Sequence, residues 1–145
     1  MRSIPKLAGL CALLLLFQDC ANPKKDFAVF GAPTKEEEPS YRQKAMEFVH
    51  YAQAGDVEQM LRITSPLSHA TQTDSIRSLY ADQVIPQFQR TEVTWEPRAK
   101  HSHDENYNPG LRILGTARGK KTFRFTVTVA RENGTLVVLG IRKGH

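Results

Sequence analysis

KTFRFTVTVARENGTLVVLGIR, residues 121–142, has the strongest alternating pattern in the chain. From Lys121 to Arg131 the side chains alternate, with Phe123, Phe125, Val127 and Val129 on one side and Arg124, Thr126 and Thr128 on the other. A period of two is the signature of a strand with one buried face. Asn133-Gly134 supplies two residues that tolerate positive φ, as a type I′ hairpin turn requires. The chain then returns from Thr135 to Arg142, with Val137, Leu139 and Ile141 expected on one face. A hairpin with one apolar side has to be covered.

Working toward the N-terminus, Leu111 to Arg118 reads as a further strand joined through the turn Gly119-Lys120. Val93 and Trp95 alternate with Thr94 and Glu96 as another, and the polar stretch from about Lys100 to Gly110 reads as a loop. The front of the domain has helical spacing instead. Ser40 and Gln43 fit a capping box, and Ala45, Phe48, Val49 and Ala52 share a face at i, i+3, i+4 and i+7. Gly55 suits the left-handed residue that ends this helix, and Asp56 caps a second, short one that stops before Ser65-Pro66. A third begins near Asp74, with Ile76, Leu79, Tyr80 and Val84 as its buried stripe and Pro86 breaking or kinking it before Phe88. The expectation is an α+β domain over 40–145, with N-terminal helices packed on a curved four-stranded antiparallel sheet.

Residues 1–19 have the layout of an export signal: Arg2 and Lys6, then the apolar run LAGLCALLLLF from Leu7 to Phe17. That run is shorter than the roughly 20 residues a spanning helix needs, so it suits a cleaved signal peptide. Cys20 follows directly. Leu16-Phe17-Gln18-Asp19-Cys20 resembles the lipobox of bacterial lipoproteins, in which the cysteine becomes the lipidated first residue of the mature chain; Gln18 and Asp19 depart from the small residues usual there. Cleavage would remove Cys11 and lipidation would consume Cys20, leaving a domain free of thiols and disulfides, as an oxidising compartment permits. Residues 20–39, with Pro23, Gly31, Pro33 and the acidic run Glu36-Glu37-Glu38, lack apolar periodicity and read as the lipidated cysteine and a flexible tether.

Composition agrees with one modest domain. The chain has 145 residues, 40% hydrophobic and 24% charged, with net charge +5. Such figures exclude collagen-like, disulfide-rich, polytopic membrane and wholly disordered classes. The charge is uneven: residues 89–145 hold 11 Lys+Arg against 5 Asp+Glu, whereas residues 21–88 hold 7 against 9. Arg98, Arg112, Arg124 and Arg142, together with Arg118, Lys120 and Lys121, are therefore expected to give the sheet a positive surface for an anionic partner. The same charges would equally keep an exposed sheet soluble and guard its edges.

The order of elements from Ala45-Met46-Glu47-Phe48-Val49 through Ala54-Gly55-Asp56 to the closing hairpin resembles the nuclear-transport-factor-2-like (cystatin-like) superfamily, in which a bent sheet wraps helices into a cone. Small bacterial lipoproteins often look like this. The resemblance implies a fold and not an activity, because that superfold hosts isomerases, dehydratases, ligand binders and interaction modules. Enzymes of the superfamily place an acid, base or tyrosine inside the cone. Candidates here are Tyr41, Tyr51, Tyr80, Asp82, His50 and His69, and their spacing suggests no acid–base pair.

Tyr80, Phe88, Trp95, Phe123 and Phe125 are the expected ligand-binding set: they would line a cavity if the cone is hollow and a core if it is filled. His101-Ser102-His103-Asp104-Glu105 is the metal-like cluster, but a polar loop lacks the packing that fixes ligands, so neither metal nor cofactor is expected. Two functions remain. One is an envelope lipoprotein anchored to the membrane through lipidated Cys20, whose domain binds a protein partner or a small or anionic ligand without catalysis. The alternative is an isomerase- or dehydratase-type enzyme using polar groups inside the cone. The address speaks against nucleic acid.

Overall fold

In the computed structural model, residues 32–69, 72–102 and 109–144 are described. Cys20, the expected export signal, most of the expected tether, and His103, Asp104 and Glu105 lie outside them. The helices are α1 (Glu38–Ala54), α2 (Val57–Ile63), α3 (Pro66–His69), α4 (Thr73–Leu79), a π-helical turn (Tyr80–Val84) and α5 (Ile85–Phe88). The strands β1 (Glu92–Trp95), β2 (Lys100–Ser102), β3 (Gly110–Arg118), β4 (Thr122–Glu132) and β5 (Thr135–Lys143) follow. They form one antiparallel sheet in the order β1-β3-β4-β5, with β2 also paired to β3.

The α+β class with an antiparallel sheet is as expected, but the sheet has five strands rather than four. β1 pairs with the C-terminal half of β3, from Glu92↔Arg118 to Trp95↔Gly115, and β2 pairs with its start, from Lys100↔Arg112 to Ser102↔Gly110. Between them the ladder ends where Glu96 N–H donates to the Leu114 carbonyl at 2.9 Å. Pro97 follows and has no N–H to continue it. Arg42 of α1 donates to the freed carbonyls of Glu96 and Pro97 at 2.7 and 3.1 Å, tying the break to the helix. The second strand was hidden because an edge segment such as Lys-His-Ser buries too little to show an apolar alternation.

The closing hairpin forms as expected, with Asn133 and Gly134 at φ 49° and 79°. Its return strand needs a correction. The register slips between Thr128 and Val129, so Val129 opposes Val138 while Thr128 opposes Gly140, leaving Leu139 as the extra residue of a bulge. Val138 and Ile141, not Val137, Leu139 and Ile141 together, therefore oppose the inward residues Val129 and Val127.

α1 begins earlier than the Ser40 box suggested. Thr34 N–H donates to the Glu37 carboxylate at 3.0 Å and Glu37 N–H to Thr34 Oγ1 at 3.3 Å, a reciprocal box ahead of Glu38. Pro33 is buried, so residues 33–39 belong to the folded body. The other end is as read: Gly55 (φ 75°) donates to the Ala52 carbonyl, Asp56 N–H to that of Tyr51, and the Asp56 carboxylate accepts from Gln59 N–H. Tyr41, Ala45, Phe48, Val49 and Ala52 of α1 are buried, and they share one core with Ile113, Val127, Val129 and Val138 of the sheet.

Pro86 has a consequence beyond a kink. An uninterrupted α-helix would leave the Asp82 carbonyl without a donor and crowd it with the proline ring. The chain widens instead, and Ile85 N–H bonds back to the Tyr80 carbonyl, five residues away.

Candidate functional site: a groove between the broken helix and the sheet

The π turn and the flanking pieces α4 and α5 do not close against β4 and β5, and a groove of about 310 Å³ separates them. On the helical side it is lined by Ile76, Leu79, Tyr80, Val84 and Phe88, and on the sheet side by Phe123, Phe125, Leu139 and Ile141. Gln83, Gln87 and Lys143 stand among these apolar walls. Leu79, expected in the buried stripe, is 42% exposed at the groove.

Four of the five expected ligand-binding residues meet here: Tyr80, Phe88, Phe123 and Phe125. Trp95 does not reach the groove. It packs edge-on against the far side of the cluster, 5.3 Å between its ring centroid and that of Phe125. Phe125 also meets Phe88 edge-to-face at 4.9 Å, and Phe88 meets Phe123 at 5.4 Å. Gly115 makes this stacking possible, since a Cβ there would lie 2.6 Å from Phe125 Cζ. Thr64, Gln87 and Lys143 are groove residues that sequence spacing did not single out.

Tyr80 is buried, and its hydroxyl lies 2.7 Å from Thr64 Oγ1. Thr64 Oγ1 in turn donates its only proton to the Met60 carbonyl at 2.8 Å, so the phenol is the donor between the two hydroxyls. Burial pushes the Tyr80 pKa above its ordinary value, against a smaller lowering by the Thr64 hydrogen bond. The phenol therefore stays neutral with its proton engaged. Thr64 is held by its bridge to Val138 on β5, next to the Ser65 N–H that donates to the Val138 carbonyl at 2.8 Å.

Of the remaining acid–base candidates, the His69 side chain lies outside the described ones, and Tyr41, Tyr51, His50 and Asp82 are dispersed. Tyr41 is buried at the start of α1, where burial raises its pKa most and the Arg131 guanidinium opposes the rise. Tyr51, half-buried against the edge of the core, donates to Glu47 at 3.0 Å. His50 and Asp82 are exposed, and neither lines the groove. His101 is exposed on β2. Among the described residues no group of three His, Cys, Asp or Glu could hold a metal ion, and no helix is long and apolar enough to cross a membrane.

The four expected anion-facing arginines do not act as one patch. Arg112 and Arg142 lie on the outer face of the sheet and line, with Thr126, Thr128 and Ser102, a polar depression of about 370 Å³. Arg124 is exposed but paired to Glu96. Arg98 is exposed in the break between β1 and β2 and lines neither the groove nor this depression. No protein-family model, curated protein or solved structure matches the chain.

Proposed function

We propose that this chain is an exported envelope lipoprotein, anchored through lipidated Cys20, whose domain holds a small apolar ligand in the groove without transforming it. The supporting observation is the groove itself: its volume falls in the range of small-molecule sites, its walls are mostly apolar, and a few polar groups stand among them. Binding is favoured over the enzyme alternative by the chemistry of the lining. Among the described residues its titratable groups are Tyr80, whose proton is engaged, and Lys143, and no carboxylate or histidine joins them. Helices on one face of an antiparallel sheet also accord with a cone of the nuclear-transport-factor-2-like kind, which we propose as the fold's affiliation.

Titration of the full chain with a neutral solvatochromic dye such as Nile red tests the binding reading. One saturable site is expected, and Leu79→Asp, a change at an exposed position, should weaken it at least tenfold because a charge enters the apolar wall. A dye signal unaffected by Leu79→Asp would remove the groove as the site. The anchor has a separate test: metabolic labelling with a fatty acid should mark the native chain and not Cys20→Ala, and equal labelling of both would remove that assignment.

A further inference from the structure

The apolar groove does not end in neutral surface. A second hollow, of about 510 Å³, adjoins it and shares Gln87, Phe123 and Lys143 with it. Its other walls bring together two turns far apart in sequence, the one after α5 with Arg90 and the one between β3 and β4 with Lys120 and Lys121. Gly119 allows them to touch, since a Cβ there would come within 3.0 Å of Thr91 Cγ2. The first turn is fastened on both sides: Thr91 Oγ1 donates to the Phe88 carbonyl at 2.7 Å, and Gln53 of α1 donates to the Thr91 carbonyl at 2.9 Å. Arg90 itself sits at φ 58°, where glycine would be the easier residue, so this position carries a guanidinium at a local backbone cost.

Arg90, Lys120, Lys121 and Lys143 thus surround one hollow, and among the described residues no carboxylate lines it and none of the four makes an ion pair. Phe123 is the wall common to groove and hollow, and Lys143 Nζ lies 5.0 Å over its ring, between the apolar space and the cations. Apolar walls running into four clustered cations are complementary to a molecule with an acyl tail and an anionic head.

We propose that the site binds one free single-chain anionic amphiphile, a medium-chain acyl carboxylate, with its tail between the π turn and β5 and its head among Lys143, Lys120, Lys121 and Arg90. This rests on the groove being the ligand site and adds the class of ligand.

Calorimetric titration of the full chain with decanoate and with the neutral, equally long decanol tests it. Decanoate is expected to bind one per chain, about tenfold more tightly than decanol at low salt, with the gap closing as salt is raised. Lengthening octanoate to decanoate should tighten binding roughly tenfold, as two further methylenes leave water. The combined variant Arg90→Gln, Lys120→Gln, Lys121→Gln, all outside the groove lining, should weaken decanoate about tenfold and leave decanol within a factor of two. Equal affinities for decanoate and decanol, unaffected by the triple variant, would overturn the anionic-head proposal while leaving the groove as a site. Absence of both ligands and of the neutral dye would overturn the groove reading itself. Attachment to phosphatidylglycerol vesicles that the triple variant abolishes and decanoate does not compete for would assign the cations to a bilayer surface and overturn the proposal.

Discussion

Along β4 the inward residues pass from Val129 and Val127, fully buried, to Phe123, half-buried on the wall of the groove. The sheet face is the same; its cover differs. α1 is one 17-residue helix that lays an unbroken apolar stripe on β3, β4 and β5. Above the groove the cover is made of α4 with 7 residues, the π turn with 5 and α5 with 4. A continuous stripe can interdigitate with a sheet at core density, whereas a helix whose register shifts at Pro86 cannot keep one face turned inward. The space therefore opens where the helical period fails.

The largest effect should separate the two ends. Phe48→Ala removes a ring that is fully buried and stands edge-on to Tyr80, and should cost about 3–5 kcal/mol in urea unfolding. Phe123→Ala, on the groove wall, should cost about 1–2 kcal/mol because the side chain is already partly wet. Equal losses would break the comparison. Gly115→Ala should come next, at about 1–3 kcal/mol, since its methyl group must displace the Phe125 ring that closes the floor. Thr64→Val strands the Tyr80 hydroxyl beside an apolar group and should cost about 1–2 kcal/mol, with Thr64→Ser close to native.

A smaller effect concerns pH. The folded state raises the Tyr80 pKa, so native Tyr80 keeps its proton at a pH where the unfolded chain has lost it. Its contribution to stability is complete below the ordinary phenol value of about 10 and is lost as pH rises above it. Tyr80→Phe should therefore give a shallower fall of stability in alkaline solution than the native chain shows. Smallest of all, Leu79→Asp should change stability by no more than about 0.5 kcal/mol, as an exposed position allows.

The parts legible in sequence were those with a long, unbroken local signal. The hairpin of residues 121–142, the α1 stripe and the caps at Gly55 and Asp56 each follow from spacing within a few residues. What escaped depended on partners elsewhere or on a single inserted residue. The bulge at Leu139 shifts a strand face without changing its composition, and the Thr34–Glu37 box is concealed by an acidic, proline-bearing run. Tyr80, Phe88, Phe123 and Phe125 could be placed together from sequence because aromatic residues in amphipathic elements gather on the inner face. The meeting of Lys143 with Arg90 could not, because charge counted along the chain cannot show which cations a fold brings together. Arg124 carries the same lesson in reverse: Glu96, 28 residues away, occupies it.

Methyl NMR of the full chain during titration with decanoate distinguishes groove from core residue by residue. Saturable shifts are expected at Ile76, Leu79, Val84, Leu139 and Ile141, with Ile113, Val127 and Val129 under α1 unmoved. Shifts confined to the α1 end, or spread evenly over both ends, would contradict the groove as the site.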